Sequence, residues 1–187
     1  MLSWKYENFM KTNNWYVLTG APCSGKTTLL KLLAEKGYQT VPELARVYID
    51  EQLAQGITLA ELRKDELAFQ RKILQFKIDH EKELDSKEII FFDRGIPDSL
   101  AYYKLCGLEN DPVLDEAVKN SFYKKIFLLE FFPWQNDYAR TENPEEQIKL
   151  HQFLKETYQN LKYPLIEVPV VLKTEKNKRL NFILDNL

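Results

Sequence analysis

The sequence predicts an α/β fold: a parallel sheet with helices on both faces. Two observations carry this. Short apolar runs alternate with longer helical patterns, the rhythm of a parallel sheet. A Gly-rich loop joins the first apolar run to the first helix, where such sheets carry a phosphate site. The chain has 187 residues, a length that fits one domain. No repeat, low-complexity stretch or composition break divides it, so a single domain over residues 1–187 is expected.

The first strand is Trp15-Tyr16-Val17-Leu18, and the first helix covers about 26–36, with Leu29, Leu30, Leu32 and Leu33 facing the sheet and Gly37 stopping it. A short strand over 39–42 precedes a helix over 43–55, closed by Gly56. Thr58 and Glu61 form a capping box that opens one long helix toward Asp85. The third strand is 88–92, and Pro97 starts a helix that ends near Gly107. Asp111-Pro112 is a cap followed by a first-turn proline. The fourth strand spans 125–130. Asn143-Pro144-Glu145-Glu146 then opens a helix to about Lys162. The fifth strand spans 165–172, and Thr174 caps the last helix.

Composition narrows the function. With 26 basic and 28 acidic residues the net charge is -2, so no broad nucleic-acid footprint is expected. Two cysteines, Cys23 and Cys106, make no disulfide framework. The first residues lack the apolar run of a signal peptide, and no stretch reaches about 18 consecutive apolar residues. A cytoplasmic protein with no membrane partner, a monomer or homodimer, is the default expectation.

Gly20-Ala21-Pro22-Cys23-Ser24-Gly25-Lys26-Thr27 matches the Walker A pattern in full, and Thr28 completes the segment. Gly20 and Gly25 permit backbone geometry that a side chain obstructs. Successive N–H groups then point inward at phosphate oxygens, and the following helix adds its positive end. Lys26 supplies charge to the β- and γ-phosphates, and Thr27 offers a hydroxyl to magnesium. The pattern predicts ATP with Mg²⁺. No Asn-Lys-x-Asp motif for reading guanine occurs. Cys23 reads as a small residue tolerated at a variable position, with a redox role as the rival.

Phosphoryl transfer is mostly positioning and charge stabilisation, so the loop needs a magnesium carboxylate from another strand. Asp93 ends the apolar run Ile89-Ile90-Phe91-Phe92 at the carboxyl edge, where ligands bind in such sheets. The rival reading is a cap for the next turn. Arg94 comes next; it cannot act as a base, but it can clamp a phosphate, which favours transfer to an acceptor over hydrolysis. Glu43, Arg46 and Asp50 share a helix face. Glu43 can take a proton from an acceptor hydroxyl, and Arg46 can hold a substrate phosphate or sugar. A surface ion pair is the alternative. Asp98, Tyr102 and Tyr103 are candidates to line a nucleoside-sized pocket, although the tyrosines can equally pack on the sheet. The long loop at about 131–143 reads as a lid whose only basic residue is Arg140, aimed at the transferring phosphate. Lys176, Lys178 and Arg179 read as a solvated helix face.

Taken together, Gly20 through Thr28, Val41-Pro42-Glu43-Leu44-Ala45-Arg46, Phe92-Asp93-Arg94-Gly95, Asp137-Tyr138-Ala139-Arg140 and the stretch from Tyr163 to Val168-Pro169 give the chain a family likeness. It resembles the small single-domain P-loop ATPases of the AAA-domain type that are related to nucleoside kinases, including the ribosylnicotinamide kinase domain. The resemblance implies a three-layer P-loop NTPase fold, a strand order of 2-3-1-4-5, a lid containing Arg140, and use of ATP with magnesium. The expected activity is a small-molecule kinase with a nucleoside- or nucleotide-like acceptor. The alternative is an ATPase or nucleotide-dependent switch acting through a protein partner.

Overall fold

A computed structural model describes residues 13–108, 111–135, 138, 142–171 and 175–187. In chain order the elements are β1 (Trp15–Thr19), α1 (Lys26–Glu35), β2 (Gln39–Val41), α2 (Leu44–Ala54), α3 (Leu59–Leu62), α4 (Glu66–Lys82), β3 (Ile90–Asp93) and α5 (Asp98–Leu105). They continue with α6 (Pro112–Asn120), β4 (Lys125–Leu129), α7 (Pro144–Asn160), β5 (Leu165–Val168) and α8 (Lys176–Leu184). The strands form one parallel sheet in the order β2-β3-β1-β4-β5, the order that the resemblance implies.

The alternation of side chains along each strand splits the core in two. Tyr16, Leu18, Phe91 and Phe127 face one layer, against Leu29, Leu30 and Leu33 of α1 and Leu180 and Ile183 of α8. Trp15, Val17, Ile90, Phe92 and Ile126 face the other, with Tyr123 and Tyr158. Leu32, expected toward the sheet, is only partly buried at the edge of the first layer.

Three boundaries differ from expectation for local reasons. The long helix after Thr58 is two helices. Asp65 caps a fresh start by accepting the Ala68 N–H at 2.9 Å, and the Arg63 guanidinium grips the Glu66 carboxylate with two nitrogens, at 2.9 and 2.7 Å. The Thr58–Glu61 capping box is present, but it serves only the one-turn α3. β5 stops at Val168, before Pro169, which has no N–H for a ladder. Glu175 sits at the cap position of α8 without a side-chain cap; Thr174 lies outside the described residues. Asp111 and Asn143 cap α6 and α7 as the sequence implies, and Asn143 forms a full capping box with Glu146.

Under the turn after β3 the Tyr123 hydroxyl accepts the Ile96 N–H at 2.9 Å and donates to Glu81 of α4. Burial raises the Glu81 carboxyl to about 7; the Tyr123 hydrogen bond and the nearby Lys77 charge oppose the rise without cancelling it. A carboxyl raised on folding stabilises the protein below its unfolded pKa. That contribution fades as the pH climbs from about 4.5 through 7. The melting temperature is therefore expected to fall between pH 5 and pH 8. Glu81→Gln should flatten that fall, by about 2–4 °C for each kcal/mol removed. Thermal melts of both proteins across that range check this; parallel curves contradict it.

Candidate active site

The loop between β1 and α1 takes the path that its glycines permit. Gly20 has φ 137°, and a Cβ there would stand 2.4 Å from the Leu129 carbonyl oxygen of β4. Any side chain would push the loop off the sheet. Gly25, at φ 83°, caps α1. Cys23 holds a left-handed φ of 63°. Its Sγ accepts the Gln135 N–H at 3.3 Å, and its carbonyl accepts the Phe132 N–H at 3.1 Å. Gln147 of α7 donates to the Pro22 carbonyl at 2.7 Å. The loop is thus pinned to the segment after β4, a set of contacts that the sequence does not announce.

Lys26 is buried and folded back over its own loop. Its ammonium donates to the carbonyls of Gly20 at 3.1 Å and Ala21 at 3.3 Å and to the Ser24 hydroxyl at 3.2 Å. Burial, and then the charge of Arg94, push it down to about 8. Thr27 donates to Asp93 Oδ2 at 3.4 Å. The other Asp93 oxygen, Oδ1, is buried with no hydrogen-bond partner among the described residues. Burial raises this carboxyl to about 6 against the pull of Lys26. A buried carboxylate oxygen without a partner is costly in isolation. With the adjacent hydroxyl it makes a hard-oxygen pair suited to Mg²⁺, which is bound by one or two carboxylates plus substrate phosphates.

Arg94 occupies the centre. Its own backbone is left-handed, with φ 70°. Its guanidinium donates to Glu43 at 2.8 Å, to the Gly20 carbonyl at 3.1 Å and to Asp98 at 3.4 Å, and it lies 5.1 Å from the Tyr102 ring centroid. The sequence assigns it to clamping a phosphate; the structure gives it three protein partners. Glu43 precedes α2 and lies 4.0 Å from Arg46. Burial alone would raise the Glu43 carboxyl, but Arg94 and Lys26 outweigh it and bring it to about 2. Arg46 also lies over the Tyr138 ring, 5.4 Å from its centroid, and Tyr138 donates to Asp50 at 2.6 Å.

Asp98 requires a correction. Expected on the acceptor side, it is fully buried and takes no part in lining the cavity. Thr19 donates to it at 2.6 Å, the Gly95 N–H at 3.0 Å, and Arg94 and the Tyr158 hydroxyl as well. It organises the turn after β3. Tyr103 is buried and donates to Asp111, as a packing residue would. Tyr102 does line the cavity. Arg140 lies outside the described residues, and of the expected lid Trp134 is held by the Glu142 carbonyl at 3.0 Å. Arg179, expected on a solvated face, is buried.

A cavity of about 860 Å³ runs along the carboxyl edge of the sheet. One part is the loop, from Pro22 to Thr28, with Asp93. Glu43, Arg46 and Arg94 line the same cavity, as do Ile49, Phe69, Ile73, Gln70, Lys77 and Tyr102. Sequence reasoning missed the α4 wall of this cavity. The signal was available: Phe69, Gln70, Ile73, Leu74 and Lys77 form one buried stripe of α4, with two polar residues in phase with apolar ones. The Gln70 amide nitrogen donates to Glu66 at 2.8 Å, which leaves its oxygen as the accepting end. Lys77 donates to the Gly95 carbonyl at 3.0 Å and to the Ser99 hydroxyl at 3.2 Å. No carboxylate of the described residues pairs with it, and burial holds its ammonium below the ordinary lysine range.

A family model described as AAA domain matches residues 15–176. The chain belongs to that family. No curated protein matches the sequence. Among solved structures, the thymidylate kinase of Ehrlichia chaffeensis superposes with a TM-score of 0.66 at 15% identity, over 92% of this chain and 97% of that one. The deoxyadenosine kinase of M. mycoides gives 0.67 at 16%, over 92% and 97%. NadR protein, solved with NAD and AMP-PNP, gives 0.69 at 18% over 93% of this chain and 49% of its own, so this AAA domain spans about half of that protein. At these identities the likeness fixes the fold: a five-stranded P-loop sheet. Among the described residues no helix is long and apolar enough to cross a membrane.

The burial of Asp98 generates a prediction about stability. Asp98→Ala strips a partner from a buried guanidinium and leaves Thr19 and Tyr158 without an acceptor. A loss of about 3–5 kcal/mol is expected, the usual result of breaking a buried pair from one side. Urea unfolding measures it; a loss under about 1 kcal/mol would return Asp98 to the ligand side.

Proposed function

We propose that this AAA-domain chain is an ATP-dependent kinase that transfers the γ-phosphoryl group to a nucleoside- or nucleotide-like acceptor. The observation that carries the reading is that one cavity of about 860 Å³ is lined both by the phosphate loop and by residues of α4 far from it in sequence, with Glu43 and Arg94 also on its wall. Hydrolysis needs only water beside the nucleotide, whereas transfer needs a seat for the acceptor. The mix of apolar walls with the Gln70 amide, the Lys77 ammonium and the Tyr102 hydroxyl suits a heterocycle with polar edges. The thymidylate and deoxyadenosine kinases that share the fold support the same class.

In this reading the N–H groups of residues 23–27 and the positive end of α1 receive the phosphates of ATP. Lys26 leaves its carbonyl partners to join the β- and γ-oxygens. Thr27 and Asp93 are the residues that would hold magnesium. Among the described residues no cluster of three or more His, Cys, Asp and Glu side chains could hold a metal, so phosphate oxygens and water must complete the shell. Bound there, the ion would neutralise charge on the transferring group.

Glu43 lines the cavity and orients the acceptor hydroxyl by accepting its hydrogen bond. A carboxylate brought to about 2 is a weak base. A loose phosphoryl-transfer transition state asks little proton abstraction before bond cleavage, so orientation is the larger contribution. Arg94 fixes the Glu43 carboxylate. Lys77 and Gln70 read the far edge of the acceptor, and Arg46 holds its sugar or phosphate.

ADP release from ATP-Mg²⁺ against a panel of nucleosides and nucleotides tests the proposal. At least one acceptor should raise turnover well above the background. A flat panel with steady hydrolysis would point instead to an ATPase or switch. Lys26→Ala should abolish turnover while the melting temperature stays near that of the parent. Glu43→Gln should slow transfer about 10²-fold with near-normal ATP affinity, the scale of a mispositioned acceptor; unchanged turnover would remove Glu43 from the reaction. Lys77→Met should raise the acceptor KM at least tenfold and leave the KM for ATP alone; equal effects on both would place Lys77 outside acceptor recognition.

A further inference from the structure

The C-terminal helix contributes a buried cation to the back of the phosphate loop. Arg179 of α8 is 4% exposed. One of its terminal nitrogens donates to the Ser24 carbonyl at 2.7 Å, and the other to the carbonyls of Glu130 at 3.0 Å and Val168 at 3.4 Å. These acceptors belong to the phosphate loop, the end of β4 and the end of β5. All are neutral backbone oxygens, and no carboxylate of the described residues forms an ion pair with this guanidinium. Its Nε is buried with no hydrogen-bond partner among the described residues. Burial lowers the group to about 10, against the pull of Glu130. Holding an arginine this way is unfavourable for stability alone, so its position calls for a function.

The planarity of the peptide bond supplies one. In a trans peptide the carbonyl of one residue and the N–H of the next point to opposite sides. Arg179 fixes the direction of the Ser24 carbonyl. The N–H of Gly25 therefore leaves the other side of the same planar peptide, away from Arg179. Gly25 and Arg179 both line the cavity, and a Cβ at Gly25 would meet the same Arg179 nitrogen at 3.4 Å. We propose that Arg179 is a positioning residue for the phosphate loop, which orients the Ser24–Gly25 peptide by tying it to the ends of β4 and β5 and so sets the affinity for triphosphate. The inference rests on the phosphate-loop part of the proposed function and not on the acceptor.

Two probes separate this role from bracing of the fold: ATP-Mg²⁺, and inorganic triphosphate with Mg²⁺, which has no base to bind elsewhere. Arg179→Lys keeps the charge but cannot reach three carbonyls in a fork. It should weaken both ligands at least tenfold, with a melting temperature within a few degrees of the parent. Leu180→Ala loosens the same helix from the core without touching the tie, and should lower the melting temperature while affinity stays within about twofold. Equal affinity of Arg179→Lys and the parent for both probes overturns the proposal. So does a Leu180→Ala protein that loses as much affinity as Arg179→Lys. If Arg179→Lys does not fold, the parent decides by amide NMR: the Gly25 N–H should be among the resonances most shifted by inorganic triphosphate, and an unmoved Gly25 signal overturns the tie. A parent protein that binds neither probe overturns the phosphate-loop reading itself, whereas a kinase assay that fails for want of an acceptor leaves both binding results intact.

Discussion

Three strand ends meet at one buried guanidinium. Arg94 touches the Gly20 carbonyl just past β1, the Glu43 carboxylate just past β2, and Asp98, which opens the helix after its own strand. Burying a charge of this kind is unfavourable unless each donor finds a fixed acceptor. Here the acceptors are two carboxylates and a carbonyl, on three separate segments, and each is held in turn. The left-handed φ of 70° at Arg94 is strain that this convergence sustains. The position of Glu43 relative to the phosphate loop is therefore a property of the sheet edge and not of a flexible side chain.

This arrangement also explains why an acid of low pKa sits where an acceptor hydroxyl would arrive. Glu43 cannot be both paired with Arg94 and strongly basic. The pairing wins, since Arg94 and Lys26 together outweigh the burial that would raise the carboxyl. The result is a fixed hydrogen-bond acceptor of known direction. Asp93, one strand over, is less well compensated and keeps an oxygen without a partner among the described residues, the condition under which a divalent cation and phosphate oxygens would complete its environment.

The sheet was legible because its strands are short, apolar and separated by helices with strong caps, and because the phosphate-loop pattern leaves little freedom to the helix after it. Residues 22–28 of the phosphate loop, with Asp93, Glu43 and Arg46, line the cavity, whereas Gly20 and Ala21 do not. The failures share a cause. Asp98 and Arg179 are polar side chains with partners far away in sequence, 79 and 155 residues for their bonds to Thr19 and Ser24. Local pattern says only that such residues are polar; tertiary burial decides whether they meet solvent, ligand or backbone. The break in the long helix at Arg63 was equally hidden, because both the Thr58 and Asp65 caps are sound and only the fold selects two starts over one. Gln70 and Lys77 were the recoverable omission, since their phase within a buried stripe was visible.

Lys26 closes the phosphate loop on itself. With its ammonium occupied by two carbonyls and a hydroxyl of the same loop, the cradle is internally satisfied. A lone chloride or a single phosphate must compete with all three bonds at once and offers few in return. A chain of phosphates can reach the lysine and several amides together, so it displaces them cooperatively. In the proposed reading, the residue that would grip the nucleotide would also act as a plug against the small anions that surround every protein, and selectivity would begin before any base is read.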